Sequence, residues 1–287
     1  MILADAISLV KERLKGCYGK EEINAIAILL CQHFFGIGRT AYHTSKQAAL
    51  TDRHIAPFMS ALDKLQNHCP VQYVLGETDF YGYTLNINKS VLIPRPETEE
   101  LVNWICNNYK DNKQQIKILD IGTGSGAIAI SLAKELGCAS VTAIDISAAA
   151  LDVAKTNASQ HSAAVCFLEE DIFSPSPQIL NQQFDVIVSN PPYVCESERE
   201  LMSLNVLNYE PASALFVPNN NPLIYYKAIA KFALQNLSCN GSVYLEINEA
   251  LGKQTETIFL AEEYQTTLRK DMNGKDRMLE ATKQQNG

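Results

Sequence analysis

The chain has 287 residues, 46% hydrophobic and 20% charged, with a formal net charge of −8. That length holds about two domains, and the composition excludes a disordered chain or a collagen-like array. No run reaches the roughly 18 apolar residues of a membrane span, and the eight cysteines never come closer than Cys17 and Cys31, so no C-x-x-C zinc spacing exists. No metal site is expected. The charged start, with Asp5, Glu12, Arg13 and Lys15, does not read as a signal peptide, and a cytoplasmic address is expected. The charge is uneven. Residues 1–85 hold eight basic and eight acidic side chains, and residues 86–287 hold sixteen and twenty-four. A protein that grips nucleic acid presents a basic stripe to the phosphates, so this balance disfavours such a substrate.

In chain order, residues 1–70 read as short helices. Ala6, Ile7, Val10 and Leu14 follow helical spacing behind Asp5, and Ile23, Ile26, Ala27, Leu30 and Phe34 make a second apolar face ended by Gly36 and Gly38. Gln47–Leu50 and Pro57–Leu65 are two further helix candidates. This segment carries no catalytic constellation and is expected to recognise a partner. Residues 71–96 form a hairpin linker, because Phe80-Tyr-Gly-Tyr-Thr-Leu-Asn-Ile-Asn88 alternates with period two. Pro96 then opens a helix whose first turn holds Glu97, Glu99 and Glu100, near the positive end of its dipole.

Residues 97–287 are expected to form the catalytic domain. Strand candidates at Ile116–Ile121, Ser140–Asp145, Val165–Leu168, Phe184–Asn190 and Ser242–Ile247 alternate with helix candidates at Ala127–Leu136, Ala148–Ser159 and Pro222–Leu237. Such alternation signals an α/β fold with a doubly wound, Rossmann-like sheet. Tyr264–Leu268 and Arg277–Ala281, around Asn273-Gly274, read as a C-terminal antiparallel hairpin.

Two motifs carry chemistry. The first is Ile118-Leu-Asp-Ile-Gly-Thr-Gly-Ser-Gly-Ala127, a strand, then a turn with Gly122, Gly124 and Gly126, then a helix. Glycine admits positive φ and lets a ligand approach the backbone. Asp145 ends the next strand, where an acid accepts hydrogen bonds from ribose hydroxyls. Gly122-x-Gly124-x-x-Ala127 also satisfies the dinucleotide fingerprint, so a dehydrogenase stays open at this point.

The second motif is Phe184-Asp-Val-Ile-Val-Ser-Asn-Pro-Pro-Tyr193. Two prolines donate no backbone hydrogen bond and stiffen the turn, leaving their carbonyls as acceptors. The ledge offers the Asn190 side-chain oxygen, the Pro191 carbonyl and the Tyr193 ring to a planar group bearing an NH₂. A dehydrogenase would leave this ledge unexplained.

Together these motifs resemble class I S-adenosylmethionine-dependent methyltransferases. Within that class the chain is similar to the peptide chain release factor N5-glutamine methyltransferases of the HemK/PrmC type. The likeness includes Pro70-Val-Gln-Tyr-Val-Leu-Gly76, Leu92-Ile-Pro-Arg-Pro-Glu-Thr-Glu99, the glycine turn, Asn190 to Tyr193, Glu210-Pro211 and Gly274-Lys-Asp-Arg277. It implies methyl transfer from S-adenosylmethionine to the glutamine of a Gly-Gly-Gln motif in class-1 release factors. Gly122, Thr123, Gly124, Ser125 and Gly126 would face the methionine part of the cofactor, and Asp145 its ribose. Asp171 and Ile172 would flank the adenine, and Asn190, Pro191, Pro192 and Tyr193 would clamp the acceptor amide, with Asn190 also at the cofactor. Glu97 and Thr98 would lie near the cofactor or cap their helix. The expected partner is a release factor bound by a monomer, without membrane. The alternatives are an adenine-type nucleic-acid methyltransferase, for which the same ledge would serve, and a non-catalytic cofactor-binding module. Two positions depart from the pattern: Glu246-Ile-Asn248 stands for Glu-Ile-Gly, and Asn219-Asn-Asn-Pro222 for a glycine-rich turn.

Overall fold

Residues 1–112 and 114–283 are described by the computed structural model. The chain begins with α1 (Leu3–Leu14), α2 (Lys20–Phe35), α3 (Arg39–Thr44), α4 (Ile55–Gln66) and α5 (Val71–Leu75). A hairpin of β1 (Glu77–Phe80) and β2 (Tyr83–Asn86) follows. Its turn places Tyr81 and Gly82 at φ 50° and 81°. Two successive positive φ values match the turn whose twist suits a two-stranded ribbon. Then come α6 (Pro96–Tyr109), β3 (Ile116–Ile121), α7 (Ala127–Glu135), β4 (Ala139–Asp145), α8 (Ala148–Gln160), β5 (Val165–Glu169), α9 (Pro177–Leu180) and β6 (Phe184–Ser189). The remainder holds β7 (Val194–Cys195), α10 (Leu204–Tyr209), β8 (Phe216–Val217), α11 (Ile224–Asn236), β9 (Leu237–Glu246), α12 (Gly252–Ala261), β10 (Tyr264–Lys270) and β11 (Asp276–Lys283).

Two compact units result. The first is Met1–Glu77 with Ser203–Tyr209, and the second is Thr78–Met202 with the chain from Glu210 on. The first unit buries Leu3, Val10 and Leu14 of α1 against Ile26 and Leu30 of α2 and Phe58, Leu62 and Leu65 of α4. Arg13 Nε donates to Gln66 Oε1 at 3.0 Å, tying α1 to α4. The unit runs past residue 70 because Val71, Val74 and Leu75 pack on this core. The helix read at Gln47–Leu50 is corrected. There Leu3 N–H donates to the Ala48 carbonyl and Leu50 N–H to that of Met1, so the segment pairs with the chain start. The helix forms just earlier, as α3. The hydroxyl of Tyr209 donates to the Asn67 carbonyl at 2.7 Å, which fixes α10 within this unit.

The second unit is built on a seven-stranded sheet in the order β10-β11-β9-β6-β3-β4-β5. The strands β9, β6, β3, β4 and β5 pair parallel, and β11 runs antiparallel to both β9 and β10. Parallel strands covered on both faces read as apolar runs. Side chains alternate between two cores. Ile116, Ile118, Val186 and Val188 meet Leu101, Ile105 and Ile128 on one face, while Leu119, Ile121 and Ile187 meet Tyr226, Ile229 and Phe259 on the other. The chain steps outward from β3 to β4 and β5, then crosses back to β6. The reversal between β3 and β6 opens the crevice where such sheets bind ligands.

Asn157, fully buried on α8, closes this end of the unit. Its Oδ1 accepts from Asn86 N–H at 2.7 Å, and its Nδ2 donates to the Asn86 and Ser125 carbonyls, each at 2.9 Å. One side chain thereby joins the hairpin, α8 and the glycine turn. Asn157→Ala strands three backbone groups, each costing about 1–3 kcal/mol when unpaired. Urea denaturation should show a loss of about 3 kcal/mol or more. An unchanged midpoint would show that these bonds are replaced by water.

Candidate active site

Four strand ends meet at one cavity of about 330 Å³. Its walls include Ile121–Ser125 after β3, Asp145–Ser147 after β4, Glu170–Phe173 after β5 and Ser189–Pro192 after β6. The hydroxyl of Ser189 donates to the Ile121 carbonyl at 2.7 Å and locks β6 to β3 at this rim. Of the expected site residues, Gly122, Thr123, Gly124, Ser125, Asp145, Asp171, Ile172, Asn190, Pro191 and Pro192 line the cavity, whereas Gly126 and Tyr193 do not.

The glycine turn shows why its three glycines differ. Gly122 and Gly124 have φ 72° and 56°, and a Cβ at either would meet no protein atom within 4 Å. They leave open space that a ligand can occupy. At Gly126 a Cβ would come within 3.0 Å of Ile130 Cδ1 and 3.2 Å of Ala154 Cβ. That glycine therefore lets α7 approach α8. The N–H groups of Gly122 and Thr123 donate to the Ile144 carbonyl, which anchors the turn to β4.

Two carboxyl groups flank the turn. Asp145 accepts from Gly124 N–H and Ser147 N–H, each at 2.9 Å. Burial raises its pKa above the ordinary value, while the N–H groups of Ser147, Gly124 and Ile146 oppose that rise. Asp120 is fully buried; its Oδ2 accepts from the Thr123 hydroxyl at 2.6 Å, and its Oδ1 has no hydrogen-bond partner. Burial raises its pKa to about 7, the Thr123 bond opposes this, and the Asp145 charge adds to it.

At the end of β6, Asn190 Nδ2 donates to Thr98 Oγ1 at 3.1 Å, leaving Oδ1 for the cavity. Thr98 donates in turn to Glu246 Oε2 at 2.6 Å. The Tyr193 hydroxyl donates to Glu246 Oε1 at 2.9 Å. Tyr193 also packs, partly buried, on the core of the sheet face bearing α11. Burial, then the Glu246 charge, raises its pKa well above 10, so it stays a phenol. Asn248, where the sequence departs from its pattern, donates to the Tyr193 carbonyl at 3.0 Å and accepts from Ala250 N–H at 2.9 Å. A glycine could do neither through a side chain.

Other walls lie in segments that carried the family likeness but were given no site role in the sequence. Ser90–Leu92 and Pro94 form one, and Pro211, Ser213 and Ala214 another. Arg95 Nη2 lies 2.5 Å from Glu210 Oε1, and Ile93 N–H donates to Glu210 Oε2 at 3.2 Å, clipping these walls together. The Phe173 ring sits 5.0 Å from that of Tyr225, and both line the cavity beyond Ile172. Glu246 did carry a signal: an acid within the otherwise apolar run Val243-Tyr-Leu-Glu-Ile247.

A parallel sheet with a glycine turn, an acid on the next strand and a Pro-Pro ledge defines a Rossmann-like methyltransferase domain. Residues 100–215 match the methyltransferase small domain model, and residues 5–76 match the PrmC N-terminal domain. The chain is 45% identical to a release factor glutamine methyltransferase of Flavobacterium psychrophilum, over 93% of this chain and 94% of that one. A release factor glutamine methyltransferase of Bacteroides thetaiotaomicron is 39% identical, over 96% and 98%. Among solved structures, a methyltransferase from Pyrococcus furiosus shares the fold, with a TM-score of 0.52 and 16% identity, covering 81% of this chain and 99% of that one. The chain belongs to the release factor glutamine methyltransferase family.

The Asp120 carboxyl generates a pH prediction. Its folded pKa of about 7 lies above the usual 3.8. Between those values the folded chain binds more protons than the unfolded one, so stability falls as pH rises through about 7. Asp120→Asn should flatten that limb in denaturation measured without ligand from pH 5 to 8. The same slope in both proteins would assign it to another group.

Proposed function

We propose that this chain transfers a methyl group from S-adenosylmethionine to the side-chain amide nitrogen, N5, of the glutamine in the Gly-Gly-Gln motif of class-1 release factors. It would thereby act in translation termination, as a monomer in the cytoplasm, and leave S-adenosylhomocysteine. The observation that carries the acceptor assignment is Asn190, which lines the cavity beside two prolines while its Nδ2 donates to Thr98, so that Oδ1 would be left for the acceptor. An acceptor pair of Asn190 Oδ1 and the Pro191 carbonyl suits the two N–H groups of a primary amide.

When bound, S-adenosylmethionine supplies an electrophilic methyl on a sulfonium. An amide nitrogen is a weak nucleophile because its lone pair is delocalised into the carbonyl. Asn190 and Pro191 would hold its two hydrogens and draw electron density toward nitrogen. Such positioning contributes up to roughly 7–11 kcal/mol in favourable cases. Tyr193, held at its hydroxyl by Glu246, would hold the plane of the acceptor amide. Among the described residues no histidine lines the cavity, so the proton would leave after transfer, when the nitrogen is acidic. Gly122 and Gly124 would admit the methionine part, Asp145 would accept from the ribose, and Asp171 to Phe173 with Tyr225 would hold the adenine. The first unit, nearly neutral and with no catalytic motif, would dock the release factor.

Charged hydrogen bonds are worth roughly 1.5–3 kcal/mol, so Asp145→Ala should weaken cofactor binding tenfold to a hundredfold. Asn190→Ala should keep most cofactor affinity and lose roughly a hundredfold or more in turnover, as when one preorganised donor or acceptor is removed. Calorimetry and single-turnover assays separate the two. Reversed effects would exchange the assignments.

The acceptor is tested with a release factor in which the motif glutamine is replaced by glutamate. Both N–H donors vanish, and a negative charge faces two acceptors. Sites built for hydrogen bonding reject such analogues by roughly 10⁴-fold. Mass spectrometry should find one added methyl on the glutamine and none on the glutamate. Equal labelling of both, or transfer to adenine in DNA instead, would overturn the reading.

A further inference from the structure

We propose that Glu246 and Thr98 form a directional relay that decides which atom of the Asn190 amide meets the acceptor. This rests on the glutamine-amide reading above and names the residues that enforce it. A side-chain amide can turn over about its last torsion with almost no change of shape, exchanging oxygen for NH₂. The difference decides the chemistry. With Oδ1 toward the cavity, Asn190 accepts from a primary amide. With Nδ2 toward it, donor would face donor.

Thr98 alone cannot choose between these states. A hydroxyl accepts as readily as it donates, so Oγ1 could serve either end of Asn190. It has a single proton, however, and Glu246 Oε2 takes that proton at 2.6 Å. Thr98 is then only an acceptor toward Asn190, and the bond it receives, at 3.1 Å, comes from Nδ2. Oδ1 is left for the cavity. The direction is set at Glu246, which accepts on both oxygens, from Thr98 and from Tyr193. The carboxylate is 1% exposed, so no bulk solvent competes for these bonds. Burial raises its pKa, while the two hydrogen bonds and the Arg277 charge favour the ionised form. The relay thus runs from a buried charge through one hydroxyl to the contacting amide. Thr98 and Glu246 are positioning residues, and Asn190 is the group that touches substrate.

Glutamine at 246 is nearly isosteric yet can offer NH₂ to Thr98. The hydroxyl proton would then turn toward Asn190 and favour the wrong face. Valine at 98 keeps the volume and removes the choice altogether. The test uses the full chain with a class-1 release factor and reads turnover and cofactor affinity in T98V, T98S, E246Q, N190A and the double variant N190A/T98V. T98V and E246Q should lose turnover roughly 10- to 100-fold, the range seen when partners that orient metal ligands are removed. In E246Q, whose side chain does not line the cavity, cofactor affinity should stay within about twofold, the scatter of independent sites. T98S should restore turnover. In the double variant T98V should add no further loss, because the amide it orients is gone. Wild-type turnover in a folded T98V, or losses that multiply in the double variant, would overturn the relay. No transfer from the wild-type chain to the glutamine would overturn the function itself, so the two failures are distinct. A neutron structure of the wild type gives a check that needs no variant. The Asn190 deuterons should lie toward Thr98, and deuterons facing the cavity would refute the proposal.

Discussion

The reversal of strand order between β3 and β6 is the constraint from which the site follows. Parallel neighbours must all deliver their carboxyl ends to one rim. When the chain steps one way from β3 and later returns on its other side, the connecting segments diverge and leave a crevice. Everything at the rim is placed by strand register rather than by loop flexibility. Ile121 pairs with both Ile144 and Ser189, so the glycine turn, Asp145 and Asn190 start from adjacent rungs. The covering helices hold those rungs through two apolar faces, so the polar residues of the site rest on a rigid base.

On that base the chain spends polar groups sparingly. The buried acids Asp120 and Glu246 lie near opposite sides of the crevice, on β3 and β9. Glu246 is satisfied by two donors, while Asp120 keeps one oxygen unpaired. Burial raises both pKa values. A satisfied acid holds shape; an unsatisfied one costs stability until a donor arrives.

Much of this was legible in the chain. Ile116–Ile121 was bounded to the residue, because a strand buried on both faces is a plain apolar run. The glycine turn and its following acid stood out by spacing. What escaped was either weakly patterned or distant. Helix α12 begins on a glycine and buries only Gly252, Thr255 and Phe259, so its apolar stripe is thin. Helix α3 buries only Tyr42. Glu246, the hydrogen-bond partner of the Tyr193 hydroxyl, lies 53 residues away, and no local rule names it. Gly126 belonged to the glycine pattern by spacing, while its purpose is set by Ala154 on the next helix.

The threading of α10 bears on how this protein can be recombined. The chain leaves the second unit after Met202, contributes Ser203–Tyr209 to the first, and returns at Glu210. Glu210 is the buried acid that clips Arg95 and Ile93. A helix fixed in one unit is therefore one peptide bond from a wall of the cavity in the other. The helical unit is not a cassette that ends at a linker. A chimera that exchanges residues 1–77 between relatives leaves α10 facing a foreign surface within its own unit. Exchange of both segments together keeps the original seam, and with it the clip that shapes the cavity.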